Sequence, residues 1–269
     1  MLDTSESAGA GLSRPILIVL HQEHSSAGHV GQRLAARGLA LDIRRPRFGD
    51  PLPATLAQHG GAVVFGGPMS ANDTDDYIAR EMALVELALR EERPYFGICL
   101  GAQLLAICLG ARVAPHPQGH VEIGYHTIQP TSEARIGGAW PTQVYQWHRE
   151  GFGLAAGAVP LAQADGAFDT QAFRHGRAAV GVQFHPEITY AMAARWSGRN
   201  EHRLDVPGAR PRAMQLADHI AHGPRVLGWL DRFLDDWLAL DAHGAGGAAV
   251  RDQNPQNRFD VCKSATLQV

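Results

Sequence analysis

Lysine is almost missing from this sequence. Only Lys263 is present, and every other of the 24 basic residues is arginine. That scarcity excludes chemistry. A phosphate-binding loop needs a lysine inside a glycine-rich turn, a pyridoxal enzyme needs one for its Schiff base, and a protein kinase needs one on a strand. Lys263 stands near the C-terminal end, in a polar stretch, and fits none of these. Reactive groups must come from Cys, His, Asp, Glu, Ser or Arg. Strong charge is missing too: a formal net charge of −3 gives no electrostatic case for nucleic acid or an anionic membrane. No apolar run approaches the ~18 residues of a membrane span. Three cysteines in 269 residues do not suggest a disulfide framework. Residues 1–15 are polar and mildly acidic, unlike a secretory signal, so a reducing cytoplasm is the expected compartment.

What the chain does contain is an alternation. Residues 15–20 (PILIVL) form a short apolar run rich in β-branched residues, which reads as a buried parallel strand. Ser25 or Ser26 offers a cap for a helix carrying Val30, Leu34 and Ala35, ending near Gly38. Residues 39–43, 61–65 and 93–98 read as further strands. Between the last two, Asp73 to Asp76 offer caps for a helix through Arg90, with Ile78, Met82, Val85 and Leu89 at helical spacing. A helical pattern from Leu100 to Leu109 stops at Gly110. Strands alternating with helices in this way predict a doubly wound α/β sheet. Beyond Gly110, residues 121–128, 143–147, 161–164, 172–173 and 179–184 read as strands without long helices between them, an antiparallel texture. Residues 197–212 read as a polar excursion, and residues 226–240 as an amphipathic helix. The expected organisation is one domain over residues 15–242, with flexible segments at 1–14 and 243–269.

The informative segment is Gly97-Ile98-Cys99-Leu100-Gly101-Ala102-Gln103. It places a nucleophile between two glycines at a strand-to-helix junction. A sharp turn there forces the nucleophile into a strained conformation, and side chains at the flanking positions would collide with neighbouring elements. The following helix points its N-terminus at the thiol, which favours the thiolate. Backbone N–H groups at the turn can hold a developing oxyanion. A buried structural cysteine is the bland alternative, and Cys108 illustrates it, about half a turn round the same helix in an apolar run. Cys262 lies in the polar terminal stretch and reads as incidental.

Two further segments qualify. In Gln183-Phe184-His185-Pro186-Glu187, His185 is a candidate base for Cys99, and Glu187 a group to orient the imidazole. Taken alone it could be a strand-end turn. Phe65-Gly66-Gly67-Pro68-Met69-Ser70 follows a strand and allows backbone N–H groups to approach a ligand closely. Taken alone it is any tight turn.

These segments, together with Gln146-Trp147-His148, resemble the motifs of the class I (triad type) glutamine amidotransferases, most closely the glutaminase domain of GMP synthase and its stand-alone relatives. The resemblance implies a three-layer α/β/α fold of flavodoxin type, with a mostly parallel central sheet and a smaller antiparallel section. It implies that Cys99 attacks the side-chain amide of glutamine, that His185 moves protons, and that Glu187 orients it. It assigns the oxyanion hole to the N–H groups of Gly67 and Leu100. Substrate binding falls to Gly66, Gln103 and the stretch Tyr145, Gln146, Trp147 and His148. It calls for no cofactor. The run His148-Arg149-Glu150 departs from the His-Gly-Asp usual in GMP synthase, which puts the contacts around the glutamine amino group in question. No Ser-Gly-Gly-type pyrophosphate loop follows the triad residues, so the expected ammonia acceptor is a small molecule or a separate synthetase polypeptide. A homodimer is left open.

His116, His120 and His126 cluster around Glu122, but their spacing matches no standard zinc pattern, and no metal is expected. Three readings compete. The first is a stand-alone glutaminase passing ammonia to an acceptor. The second keeps the triad and changes the substrate to a γ-glutamyl conjugate, as in a γ-glutamyl hydrolase. The third is a non-catalytic binding or regulatory module.

Overall fold

The computed structural model describes residues 14–242. The two terminal segments expected to be flexible, and with them Cys262 and Lys263, lie outside the described residues apart from Arg14. The chain alternates first: β1 (Ile16–Val19), α1 (Gly28–Ala36), β2 (Leu41–Arg44), β3 (Gly61–Val64), α2 (Asp76–Arg90), β4 (Tyr95–Ile98) and α3 (Leu100–Cys108). A β-rich section follows: β5 (Val113–Pro115), β6 (Glu122–Thr127), β7 (Gln129–Pro130), β8 (Gln143–His148), β9 (Glu150–Phe152), β10 (Val159–Gln163), β11 (Thr170–His175) and β12 (Ala179–Val182). Two helices, α4 (Tyr190–Arg199) and α5 (Arg212–Ala242), close the described chain.

The main sheet has eight strands in the order β2-β1-β3-β4-β12-β11-β10-β7. Its first five run parallel, and β11, β10 and β7 extend it antiparallel. Two antiparallel ribbons, β5–β9 and β6–β8, stand apart from it. Strand β1 shows how the layers form. Successive side chains of a strand point to opposite faces. Ile16 and Ile18 therefore join Val30 and Leu34 of α1 and Trp229, Phe233 and Trp237 of α5. Leu17 and Val19 join Val85 and Ala88 of α2 and Leu104 and Leu105 of α3. Both faces are covered, which is why the run is apolar without alternation. Among the described residues no helix is long and apolar enough to cross a membrane.

Several boundaries differ from expectation. Neither Ser25 nor Ser26 caps α1. The Ser25 hydroxyl donates to the Gln22 carbonyl, and the N-cap is Ala27. A distant backbone carbonyl does the capping instead: His29 N–H donates to Glu187 O at 2.8 Å. The polar stretch at 197–212 is partly helical, because α4 runs into it and a 3-10 turn, Glu201–Arg203, follows. Helix α5 begins fourteen residues before the predicted start at 226, with Pro224 inside it. Proline in a helix interior normally breaks it. Here the first turns are held by tertiary bonds: Tyr145 Oη donates to Gln215 at 2.7 Å, and Tyr125 Oη lies 3.0 Å from His219 Nδ1. Cys108 is half-buried, its thiol 3.7 Å from the Met82 carbonyl on α2.

Candidate active site

Three adjacent parallel strands end at one edge and deliver the three motifs. The register pairs Val64 with Gly97 and Ile98 with Val182. The Gly66-Gly67 turn thus follows β3, Cys99 follows β4, and His185 follows β12, side by side. Cys99 N–H donates to Val182 O at 2.8 Å, which locks the cysteine to the strand carrying the histidine. The carboxyl edge of an open α/β sheet is where such folds bind ligands.

Cys99 has φ 51° and ψ −103°, a conformation that is rare for a residue with a side chain. Holding it costs roughly 1–3 kcal/mol, which the surrounding packing must offset. The flanking glycines show how tight that packing is. A Cβ at Gly97 would lie 2.6 Å from the carbonyl of Gly101, and a Cβ at Gly101 would lie 2.1 Å from the carbonyl oxygen of Val64. Strand and helix approach so closely at this turn that only hydrogen fits.

The imidazole lies against the cysteine. A Cβ at Gly66 would stand 2.7 Å from His185 Cε1 and 3.3 Å from Cys99 Cβ, so one glycine touches both. His185 Nδ1 is 2.8 Å from Glu187 Oε1, and Cys99, His185 and Glu187 are all buried. His185 N–H also donates to Tyr145 O at 2.8 Å, tying the end of β12 to β8. Burial pulls the imidazole's pKa down. The negative charges of Glu187 and Cys99 outweigh that and push it up to about 10. A group with a raised folded-state pKa adds stability that is complete below its ordinary value of 6.5 and is lost as pH rises toward 10. The melting temperature is therefore expected to fall between pH 7 and pH 10, and to fall less steeply in Glu187→Gln. Calorimetric scans of the two proteins across that range check it.

Leu100 is the first residue of α3, where N–H groups have no carbonyl partner inside the helix. Gly67 N–H makes no backbone hydrogen bond among the described residues. Leu100 follows Cys99 directly in the chain, and Gly67 lines the same cleft as Cys99. A buried pair that sequence reasoning missed steadies the Gly66-Gly67 turn. His21 Nδ1 lies 3.1 Å from Gly66 O and its Nε2 lies 2.7 Å from Glu81 Oε2, with both side chains buried. The signal was available in Glu81, which lies three residues after Ile78 on the apolar stripe of α2.

Gly66, Gly67, Cys99, Gln103, Trp147, His148, His185 and Glu187 all line one cleft of about 420 Å³. The side chains of Tyr145 and Gln146 do not. Tyr145 is engaged with Gln215, and Gln146 Nε2 donates to Gln171. Gln103 Nε2 donates to Glu150 O at 2.9 Å. His148 lies between two acceptors, Glu150 O and Glu122 Oε2, each at 3.0 Å. Burial raises the Glu122 carboxyl, but the hydrogen bonds from His148 and Gln171 outweigh it and hold it below the usual carboxylate range. Glu122 therefore anchors His148 instead of joining a histidine cluster; His116 and His120 lie ring to ring, 4.9 Å apart. Among the described residues no three His, Cys, Asp or Glu side chains are grouped to hold a metal ion. The cleft also contains Arg149, from the run that departs from the GMP synthase motif, and Arg195, Arg199 and Arg203, which no motif indicated.

Comparison with known proteins identifies the family. Residues 22–194 match the family model for glutamine amidotransferase class-I. The chain is 33% identical over 183 residues to the glutamine amidotransferase-like protein YfeJ of Salmonella typhimurium, a match covering 64% of this chain and 74% of that one. It is 32% identical over 136 residues to a glutamine-hydrolyzing GMP synthase polypeptide of Picrophilus torridus, covering 49% of this chain and 70% of the relative. The crystal structure of a glutamine amidotransferase from Methylobacillus flagellatus superposes with a TM-score of 0.79 at 27% identity, over 85% of this chain and 95% of that one. The predicted α/β fold with its mostly parallel sheet is thus the fold found, and the chain belongs to the class-I glutamine amidotransferase family.

Proposed function

We propose that the protein hydrolyses γ-glutamyl amides, of which glutamine is the simplest, through a thioester on Cys99. The observation that carries the reading is the strained Cys99 elbow packed across Gly66 from a His185 that Glu187 holds at 2.8 Å. Cys99 Sγ attacks the γ-carbonyl carbon, with its proton held by the imidazole beside it. The carbonyl oxygen takes up negative charge and is met by the N–H groups of Gly67 and Leu100. His185 then gives its proton to the departing nitrogen, and the C–N bond breaks. Water, deprotonated by His185, adds to the thioester; the C–S bond breaks and glutamate leaves. Glu187 holds the ring orientation and stabilises the imidazolium throughout. When glutamine is the substrate the product is ammonia, and a separate ammonia-accepting polypeptide is the partner this reading calls for.

A diazoketone analogue of glutamine tests the proposal directly. It is expected to alkylate Cys99 and to leave Cys108 unmodified, as read by peptide mass spectrometry, with glutamine slowing the labelling. Labelling of Cys108 in preference to Cys99, or labelling that glutamine does not slow, would count against the elbow as the nucleophilic site.

A further inference from the structure

Four arginines border the nucleophile's cleft, and among the described residues no carboxylate forms an ion pair with them. The arginine ion pairs there are made by Arg14, Arg33, Arg37, Arg44 and Arg93. Arg149, Arg195, Arg199 and Arg203 take part in none of these, yet all four line the cleft that holds Cys99. Their placement follows from helix geometry. Met192, Arg195, Trp196 and Arg199 recur at the spacing of one helix face, and all four line the cleft. Trp196 fixes that face against the catalytic centre. Its ring lies 5.1 Å from the His185 ring, edge to face, and 5.9 Å from that of Trp147. Arg195 and Arg199 therefore flank a side chain that touches the catalytic imidazole. Arg203 is half-buried, and both its burial and the nearby charge of Arg149 lower its pKa.

The γ-glutamyl head does not use so much positive charge. It carries one carboxylate and one ammonium and is neutral overall. One guanidinium and one acid would satisfy it, and Glu150 is in the cleft to supply the acid. Glu187 is committed to His185, and Glu23 lies 3.9 Å from His24. The remaining arginines outnumber the acids. A cleft of about 420 Å³ also falls within the roughly 300–1,000 Å³ range of pockets that enclose ligands larger than an amino acid. Building on the hydrolase reading above, we propose that the substrates are γ-glutamyl conjugates whose leaving amine itself carries a carboxylate, as in γ-glutamyl peptides, and that Arg195, Arg199 and Arg203 hold that anion. In the reaction Cys99 Sγ bonds to the γ-carbon, the amide C–N bond breaks, and the anionic amine leaves with a proton from His185. Water then cleaves the thioester to glutamate.

Two isosteres test this. γ-Glutamylglycine and γ-glutamylglycinamide differ only in the terminal carboxylate. With the full chain at low salt, kcat/KM for the acid is expected to exceed that for the amide by about tenfold or more, since charge-assisted bidentate bonds to arginine are the strong ones. The ratio is expected to shrink in high salt, because exposed charges are screened, and to fall toward one in an Arg195→Gln/Arg199→Gln double variant. The salt series uses the wild-type protein and needs no variant to fold. Equal kcat/KM for the two isosteres, or a preference for free glutamine over both, would overturn the inference and leave the arginines to an acidic protein surface. If instead no γ-glutamyl amide is cleaved and the diazoketone does not label Cys99, the hydrolase reading itself fails, and the inference falls with it.

Discussion

Cys99→Ala is expected to lower γ-glutamyl amide hydrolysis by a factor on the order of 10⁴–10⁶, the range seen when a covalent nucleophile is removed while the rest of the site remains. The residual rate would come from the oxyanion donors and from binding alone. Alanine removes only the sulfur, so the fold should persist with the elbow still at positive φ. An unchanged circular dichroism spectrum and a cooperative melting transition would establish that. The structure adds a sharper requirement. Cys99 and Glu187 together raise the His185 pKa, so these groups work as one unit. His185→Asn should therefore cost nearly as much as Cys99→Ala, and the double variant should be little worse than either single one. Amine and glutamate release measured by steady-state kinetics on the three proteins checks this. Wild-type turnover by Cys99→Ala would remove the cysteine from the mechanism, and full additivity would separate His185 from it.

The sequence disclosed what depends on short spacing and hid what depends on distant juxtaposition. Strands β1, β3 and β4 were readable because a strand buried on both faces needs a continuous apolar run, and Gly61 opens β3. The elbow was readable because its constraint is local: Gly97, Cys99 and Gly101 are within one turn of each other. Helix α4 carries no such signal. Only Met192, Ala193 and Ser197 are buried in it, Gly198 is internal, and its cap is Thr189, just after the last motif. The first half of α5 was hidden by Pro224 and by a stripe whose anchors are polar, Gln215 and His219, meeting two tyrosines. The capping of α1 by the Glu187 carbonyl and the His21–Glu81 brace join residues far apart in the chain; an acid on the apolar stripe of α2 hints at the second, and no local pattern announces the first. The arginine stripe was visible as composition, but only the helix shows that Arg195 and Arg199 share a face with Trp196.

Gly101→Ala is expected to be among the most damaging single-methyl additions in the chain. On helix propensity alone it should help, since alanine exceeds glycine by about 1 kcal/mol in a helix interior. Position 101 reverses that sign. The added Cβ would lie 2.1 Å from Val64 O, 2.8 Å from Val64 C and 3.0 Å from Val64 Cβ. These are atoms of a central strand, hydrogen-bonded to β1 on one side and β4 on the other, so they cannot yield as a flexible side chain would. Overpacking of a rigid core typically costs about 1–3 kcal/mol and more where backbone must move, so a net loss near 3 kcal/mol is expected. At roughly 2–4 °C per kcal/mol for a domain of this size, the melting temperature should drop by about 6–12 °C. Gly153→Ala is the control, because a Cβ there meets only the Arg112 carbonyl at 4.0 Å. It should change stability by no more than about 0.5 kcal/mol. Activity follows from the same displacement. Gly66 and Gly67 continue directly from the end of β3, so pushing Val64 away moves the Gly67 N–H relative to Cys99. A shift of about 1 Å in such a donor can cost on the order of 100-fold in rate. The folded fraction of Gly101→Ala should therefore turn over about 100-fold more slowly while diazoketone labelling still reaches Cys99. A wild-type melting temperature and rate in this variant would show that the strand-to-helix contact is not what holds Cys99 in place.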